Sequence, residues 1–348
     1  MLHAACFMLH PIKTIFFGTP GFAVPALEAL HSNARFEVVA VVTQPDRPTG
    51  RKKIITPSPV KLAAEKFKIP ALQPEKLKDE AIEQIVVLKP DLAIVVAYGN
   101  LIPKRLLEAV PRGFVNIHPS LLPKHRGASP LTATILEGDK ETGVCLMVLD
   151  EGMDHGPVIA CRRVSLKGDE TTDSLRAILT PIGADMIGKE LVGYLDGKIA
   201  ATPQDHDKAT FCKQIESEGA RIDWKKPAIE IDRLIRAMHG MTPAWTMLDG
   251  QMLLIHKASC ISSSFPRRRE SNAQLGRPIT PPNEDWIPDV RSGMTITTGT
   301  VVKIKNSPAV SCADGYLLLD EIQLAGGKAM SGQAFLNGHK DLVGKILK

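Results

Sequence analysis

The stretch GFVNIHPSLLPKHRG, from Gly113 to Gly127, constrains the fold of this chain more than any other. It begins with apolar, β-prone residues and is interrupted by Pro119, which cannot continue the hydrogen-bond ladder of a sheet. Because side chains alternate along a strand, we expect Asn116 and His118 on the same face. The pattern therefore predicts a buried strand with an amide and an imidazole at its carboxyl end, where open α/β sheets bind ligands.

This pair of side chains has a definite chemical capacity. An amide can hold a carbonyl oxygen, and an imidazole can take up or release a proton near neutral pH. A histidine near a strand end is more often structural, however, so the pair alone leaves both roles open. The next residues predict a short apolar loop able to line the pocket of a flat ligand: Ser120, Leu121, Leu122 and Pro123.

The first 195 residues alternate short β-branched runs with helical patterns, which predicts a Rossmann-like, mostly parallel sheet. One predicted strand, 92–97, ends at Tyr98, again at a carboxyl edge. The turn after the first strand, 18–21, has the form G-x-x-G and lacks the G-x-G-x-x-G pattern. A nicotinamide cofactor is therefore not expected.

A carboxylate follows in the loop DEGMDHG, between the strands predicted at 144–149 and 158–164. Two glycines bracket Asp154, so a tight loop could place its carboxylate in a confined space. There it could orient His118 or take a proton from an attacking amine. The alternative is an ordinary Asp turn, which is common in loops. His155 is a secondary candidate in the same loop.

The loop 43–53 is basic and contains two prolines and a glycine. Arg47, Arg51, Lys52 and Lys53 stand against a single acidic residue, Asp46. Such a loop at the carboxyl end of a strand could reach phosphates near the site. A solvated loop with no ligand explains the same composition.

One long helix is predicted at 171–194, at the end of the catalytic part, and short strands from 244 onward predict a small, OB-like β-barrel. The segment 262–293 contains many serines, arginines and prolines and few aliphatic residues, so we interpret it as a disordered insertion. The predicted organisation is a disordered extension (1–11), a catalytic domain (12–195), a linker (196–217) and a C-terminal domain (218–348).

Composition excludes several classes of protein. The six cysteines form no C-x-x-C pair, so we expect neither a zinc site nor a disulfide framework, and a reducing compartment suits them. No apolar run reaches the length of a membrane span. A net charge of +5 weakly favours a polyanionic partner, but the aromatic content of 5% argues against base-stacking platforms.

Asn116, His118 with the string Pro-Ser-Leu-Leu-Pro, and the glycine-bracketed Asp154 resemble the folate-dependent formyltransferases, whose catalytic triad is Asn, His and Asp. His155 departs from the family, which usually has Thr after the aspartate. Other strings are similar to the branch of that family that acts on charged initiator tRNA: Gly-Thr-Pro (18–20), TQPDRP (43–48), PSPVK (57–61), VAYG (96–99), RGASP (126–130), ARIDW (220–224) and KAMS (328–331).

This resemblance implies a monomeric cytoplasmic enzyme whose triad moves a formyl group from 10-formyltetrahydrofolate to methionine on initiator tRNA, without a metal. It implies that Ser120, Leu121, Leu122, Pro123 and Tyr98 contact the folate, and that the basic loop contacts the tRNA. A small-molecule formyltransferase, acting on glycinamide ribonucleotide or a sugar-nucleotide amine, shares the triad and stays an alternative. So does a non-catalytic RNA- or folate-binding relative.

Overall fold

The structure, a computed structural model, describes residues 10–50, 53–261 and 297–348. Most of the predicted extension and all of the predicted insertion lie outside these residues. The chain forms two compact units. The first unit comprises Met1–Thr134, Asp139–Lys167 and Ser174–Gln214, and the second comprises Ile135–Gly138, Gly168–Asp173 and Ile215–Lys348. The predicted linker contributes to the first unit as far as Gln214.

A seven-stranded sheet lies at the centre of the first unit, in the order β10-β9-β7-β6-β1-β2-β5. Its five strands that come first in the chain, β1, β2, β5, β6 and β7, are parallel. Strands β9 and β10 pair in antiparallel fashion at one side of the sheet. The predicted mostly parallel sheet is therefore confirmed. The strands are β1 (Ile12–Gly18), β2 (Phe36–Val42), β5 (Ala71–Leu72), β6 (Leu92–Val96), β7 (Phe114–His118), β9 (Glu141–Val148) and β10 (Val158–Ser165).

Two short ribbons complete the strands of this unit. The basic loop forms a hairpin in which β3 (Arg47–Thr49) pairs with β4 (Ile54–Thr56). Pro48 fits this hairpin because the ribbon stands apart from the central sheet, where a missing N–H would cost a ladder bond. In the second ribbon, β8 (Arg126–Gly127) pairs in parallel with β11 (Phe211–Cys212), which comes from the predicted linker.

The helices connect successive strands, as expected for parallel pairing. The long helix predicted at 171–194 is instead two α-helices with a π-helical turn, Ile187–Leu191, between them. In the described ranges no helix has both the length and the apolar character needed to span a bilayer. The helices up to this point are α1 (Val24–Ser32), α2 (Pro59–Lys66), α3 (Asp79–Val86), α4 (Lys104–Ala109), α5 (Pro130–Glu137), α6 (Thr172–Met186) and α7 (Val192–Leu195).

An aromatic cluster supports the strand that carries the predicted site. Phe17 lies 5.3 Å from the ring of Tyr98 and 5.5 Å from that of Phe114, and all three are buried. All five residues of β7 are buried, so the strand is held on both faces. Burying a side chain of this size stabilises the fold by about 1.5–3 kcal/mol, which fixes the end of β7 where the polar residues begin.

The expectation of no disulfide framework is wrong at one place. Cys145 on β9 and Cys161 on β10 are disulfide-bonded, with their Cα atoms 4.1 Å apart. The two residues are register partners of the antiparallel pair. Sequence spacing could not reveal this bond, because only the register of β9 against β10 places the two cysteines opposite each other.

The second unit is built on an antiparallel sheet in the order β12-β13-β16-β15-β14, with β17 paired to β16. Two tryptophans, Trp224 and Trp245, are buried in its core. An antiparallel sheet agrees with the predicted series of short strands, but the OB-like barrel stays a prediction. The elements are α8 (Ala228–Ala237), β12 (Ala244–Leu248), β13 (Gln251–Ile261), β14 (Val301–Ile304), β15 (Ser307–Ser311), β16 (Tyr316–Leu324), β17 (Met330–Ser331) and α9 (Gly332–Gly338).

The C-terminal residues join the two outer strands of this sheet. Val301 at the start of β14 donates its N–H to the carbonyl of Lys345 at 2.8 Å. Met247 on β12 and the terminal Lys348 exchange backbone hydrogen bonds of 2.8 and 3.0 Å. Between these contacts Leu347 is 2% exposed and belongs to the core. The last residues therefore protect strand edges that would otherwise expose unpaired backbone groups.

Replacing Leu347 with alanine is expected to lower the free energy of unfolding by about 2–4 kcal/mol, because a buried leucine loses its contacts and leaves a cavity. Chemical denaturation followed by tryptophan fluorescence measures this effect. The matched control is Ile346→Ala, since Ile346 is the adjacent residue and is 45% exposed. Equal effects of the two substitutions would contradict the inward placement of Leu347.

Candidate active site

The end of β7 presents two polar side chains toward one carboxylate. Asn116 is 9% exposed and His118 is 3% exposed. The Asn116 Nδ2 donates to Oδ1 of Asp154 at 3.3 Å, and Nδ1 of His118 lies 3.6 Å from Oδ2 of the same carboxylate. The structure thus brings the three predicted catalytic residues together, with Asn116 and His118 on one face of the strand as expected.

Asp154 reaches this place from the loop between β9 and β10. Its φ is +47°, a left-handed conformation that non-glycine residues seldom adopt. Its Oδ2 accepts the backbone N–H of Gly127 at 2.7 Å. Gly127 itself has a φ of +116°, and a Cβ there would lie 2.3 Å from the carbonyl oxygen of Cys212. A glycine is therefore required at the position whose amide holds the carboxylate.

The hydrogen bonds of His118 define its tautomer. Its Nε2 lies 3.1 Å from the carbonyl oxygen of His125. A carbonyl can only accept, so Nε2 carries the proton and Nδ1 presents a lone pair to Asp154. Two proton acceptors, Nδ1 and a carboxylate oxygen, therefore face each other across 3.6 Å. An incoming N–H group could give a proton to either of them.

Burial dominates the electrostatics of His118. It lowers the pKa of the imidazole below its usual 6.5, because the charged form loses its hydration. The Asp154 carboxylate acts in the opposite direction, and the charges of His125 and Arg126 lower the pKa further. Neutral His118 is thus the form favoured at neutral pH, and a neutral imidazole can act as a base.

The residue that accepts from His118 is itself firmly anchored. His125 is 2% exposed and has a φ of +58°. Its Nε2 lies 2.7 Å from Oδ2 of Asp139, and its backbone N–H donates to Oγ1 of Thr210 at 2.9 Å. These contacts fix the carbonyl that selects the tautomer of His118.

Three further polar residues lie beside the triad, and the sequence analysis did not single them out. Arg126 donates to Oε1 of Gln204 and to Nδ1 of His206, the latter at 2.9 Å. The ring of His206 stacks on that of His155 with centroids 4.1 Å apart. Gln204 and His206 come from the predicted linker, where no local periodicity indicated a role. Only the string RGASP contained a signal, and it concerned Arg126 alone.

The loop predicted to contact a flat ligand has its one hydroxyl already engaged. Ser120 is fully buried, and its Oγ donates to the carbonyl of Lys124 at 2.6 Å. Leu121, Leu122 and Pro123 are half-buried and offer apolar surface directly after His118. Ligand contact by this loop stays a prediction, and it rests on these three side chains.

Tyr98, predicted to contact the same ligand, has its ring in the aromatic cluster and is 2% exposed. Burial raises the pKa of its hydroxyl, so the phenol stays neutral. Its carbonyl accepts from Oγ1 of Thr19 and from Nε2 of Gln44, both at 3.2 Å. Tyr98 is therefore better placed to shape the site than to form a hydrogen bond with a ligand.

The basic hairpin is partly described. Arg47 is exposed and pairs with Glu75 at 2.9 Å. Lys53 follows the turn with a φ of +48°, whereas Arg51 and Lys52 lie outside the described residues. A hydrogen bond from Lys61 lowers the pKa of Asp46, which is therefore ionised at neutral pH. A phosphate-binding role for the four basic residues stays a prediction.

Two family models match this chain. One is described as "Formyl transferase" and covers residues 12–186, and the other, "Formyl transferase, C-terminal domain", covers residues 214–340. The solved structure of an N-formyltransferase from Helicobacter canadensis has a similar fold, with a TM-score of 0.59 at 18% identity over 88% of this chain and 98% of that one. The fold is thus that of a formyl transferase.

Curated relatives narrow the class. A methionyl-tRNA formyltransferase of Roseiflexus sp. (strain RS-1) is 39% identical over 94% of this chain and 93% of its own length. That of Trichlorobacter lovleyi is 38% identical over 96% of both. The chain belongs to the methionyl-tRNA formyltransferase family.

Proposed function

We propose that this protein transfers the formyl group of 10-formyltetrahydrofolate to the α-amine of methionine on initiator methionyl-tRNA, for use in translation initiation. The observation that carries the proposal is that the side chains of Asn116 and His118 both lie next to the carboxylate of Asp154. It is supported by curated methionyl-tRNA formyltransferases that match nearly the whole chain, and by the C-terminal family model, which matches residues of the second unit. We further propose that the protein acts as a monomer in the cytoplasm.

The residues after His118 fit a flat and partly apolar co-substrate. Leu121, Leu122 and Pro123 would contact it. Ser120 would stabilise their turn through its hydrogen bond to Lys124, and the buried Tyr98 would support the adjacent strand end. The folate supplies an activated formyl group when it is bound. The chain's own groups provide hydrogen-bond donors and a base, so the proposed reaction requires no metal.

Each triad residue has a separate task in this proposal. Asn116 donates a hydrogen bond to the oxygen of the carbonyl under attack, where negative charge builds up. The Nδ1 of neutral His118 and the Asp154 carboxylate, 3.6 Å apart, accept the proton released by the amine. Protonated His118 would be stabilised by the adjacent carboxylate and could return the proton to the leaving nitrogen.

The proposal that a tRNA accepts the formyl group rests on the basic residues after β2 and on the presence of the second unit. Arg47 and Lys53 belong to a basic hairpin that follows β2 at the same sheet edge as His118, and Arg51 and Lys52 stand between them in the sequence. Phosphates of a tRNA acceptor end would neutralise such a group. A small ribonucleotide would require neither this hairpin nor the second unit.

A side-by-side assay tests the proposal. The purified protein and 10-formyltetrahydrofolate are incubated with charged initiator tRNA, free methionine, glycinamide ribonucleotide or a sugar-nucleotide amine. We expect formylation of the charged tRNA with much the highest kcat/KM. Preference for a small amine would favour the small-molecule alternative, and folate or RNA binding without turnover would favour the non-catalytic one.

The pH dependence of the reaction follows from the lowered pKa of His118. We expect kcat, measured with saturating substrates, to be maintained at neutral pH and to fall on acidification with a midpoint below 6.5, because burial keeps the base neutral below the usual value. Stability changes in the same direction. The unfolded chain takes up the proton first, so stability decreases as the pH falls through 6.5. An acid midpoint at or above 6.5 would contradict a buried neutral base.

A further inference from the structure

Gln204 is a buried amide that bonds the loop of Asp154 to β8. Its Nε2 donates to two carbonyl oxygens of that loop, those of Asp154 at 2.9 Å and of Gly156 at 2.7 Å. Its Oε1 accepts from Arg126, from Nε at 3.2 Å and from Nη2 at 2.7 Å. Gln204 is 8% exposed, so water competes little for these bonds.

The other end of this connection lies next to the group that holds the carboxylate. Arg126 is followed by Gly127, whose N–H donates to Oδ2 of Asp154 at 2.7 Å. Gln204 therefore links the backbone of Asp154 to Arg126, and the next residue, Gly127, donates to the Asp154 side chain. A displacement of either end would alter the distance between Asp154 and His118.

Arg126 depends on Gln204 as well. It is 3% exposed, and its hydrogen-bond acceptors within the described ranges are Gln204 and Nδ1 of His206, with no carboxylate among them. A buried guanidinium without acceptors is strongly unfavourable, so these contacts order the local structure.

Asp154 needs support of this kind. Its φ of +47° costs free energy that the surrounding contacts must offset, on the order of 1 kcal/mol. Strained loops persist only where tertiary contacts over-determine them. The two carbonyls that Gln204 binds lie on either side of His155, so the amide fixes the backbone immediately after Asp154.

We propose that Gln204 is a positioning residue for formyl transfer, which holds the Asp154 carboxylate at its place beside His118. This inference rests on the function proposed above. An amide suits the task because one end group supplies both an acceptor for Arg126 and two donors for the loop. In this proposal Gln204 acts through the position of Asp154.

Two substitutions separate the two arms of the amide. Gln204→Met removes the donors and the acceptor, whereas Gln204→Glu keeps an acceptor for Arg126 and removes the donors. We expect both to lower kcat by about 10- to 100-fold, because small misplacements of a catalytic group have effects of this size. We expect KM for both substrates to stay within about twofold. Thr202→Met is the control, because its exposed side chain lies in the same segment.

A second measurement does not depend on catalysis. Hydrogen exchange of the Gly127 amide reports whether Asp154 still accepts from it. We expect exchange at least about tenfold faster in Gln204→Met than in the wild type or in Thr202→Met, with an unchanged midpoint of global unfolding. If the wild type formylates no acceptor, the proposed function fails, and the exchange rates still test the positioning role.

The outcomes are distinct. Loss of kcat in both Gln204 variants, with faster Gly127 exchange, supports the proposal. Wild-type kcat in Gln204→Glu overturns it, because the donors to the loop would then be dispensable. Unchanged exchange of Gly127 in Gln204→Met also overturns it. If Gln204→Met fails to fold, Gln204→Glu decides by both measurements.

Discussion

The Asp154→Asn variant is expected to lower kcat by about 10²- to 10⁴-fold, the usual loss for an acid–base group. Asparagine has nearly the same shape and can still accept from Gly127. It cannot take up a proton, however, and it brings no negative charge to the space 3.6 Å from His118. Steady-state formylation of charged tRNA measures the effect, and we expect little change in folding stability.

A neighbouring residue provides the control for this variant. Asp150 lies in the same loop, is exposed, and accepts from the backbone N–H of Gly152 at 2.9 Å and from His155 Nδ1 at 2.6 Å. Asparagine can keep the turn, so Asp150→Asn should leave kcat within about threefold of the wild type. Near-normal turnover of Asp154→Asn would remove Asp154 from the proton transfer.

The Asn116→Leu variant is expected to lower kcat by about 10²- to 10³-fold, the cost of removing one donor from a developing negative charge. Leucine has a similar volume, so the buried strand should tolerate it. The substitution also removes the donor to Asp154 at 3.3 Å, which leaves the carboxylate with Gly127 as its remaining hydrogen-bond donor within the described residues. Single-turnover kinetics with saturating substrates measures the chemical step itself.

Two comparisons make this result specific. Thr134→Val removes a fully buried hydroxyl that bonds to Thr142 instead of the triad. It controls for the general effect of losing a buried polar group, and its kcat should be close to that of the wild type. If Asn116→Leu and Thr134→Val lose kcat equally, Asn116 has no special role in stabilising charge.

Much of the site could be predicted from local patterns. The strand containing Asn116 and His118 was predictable because a strand has a period of two and Pro119 must end it. The glycines around Asp154 indicated a tight loop in the same way. These features depend on neighbouring residues only, so they can be predicted without knowledge of the fold.

Other features depend on residues far apart in the chain. Gln204 follows Arg126 by 78 residues and Asp154 by 50, and nothing in its surroundings distinguishes it from a linker residue. The disulfide between Cys145 and Cys161 depends on the register of one strand pair. Loops without periodicity contain no local signal of the partner that they will meet.

The sequence by itself determined most of the long strands and helices, because apolar periodicity and turn residues act over a few positions. It also determined that an amide and an imidazole share one strand face. Only the tertiary structure decided that Asp154 lies 3.6 Å from His118, that His125 selects the tautomer, and that Gln204 bonds the loop in place. Those distances arise from packing and strand register, which are properties of the whole folded unit.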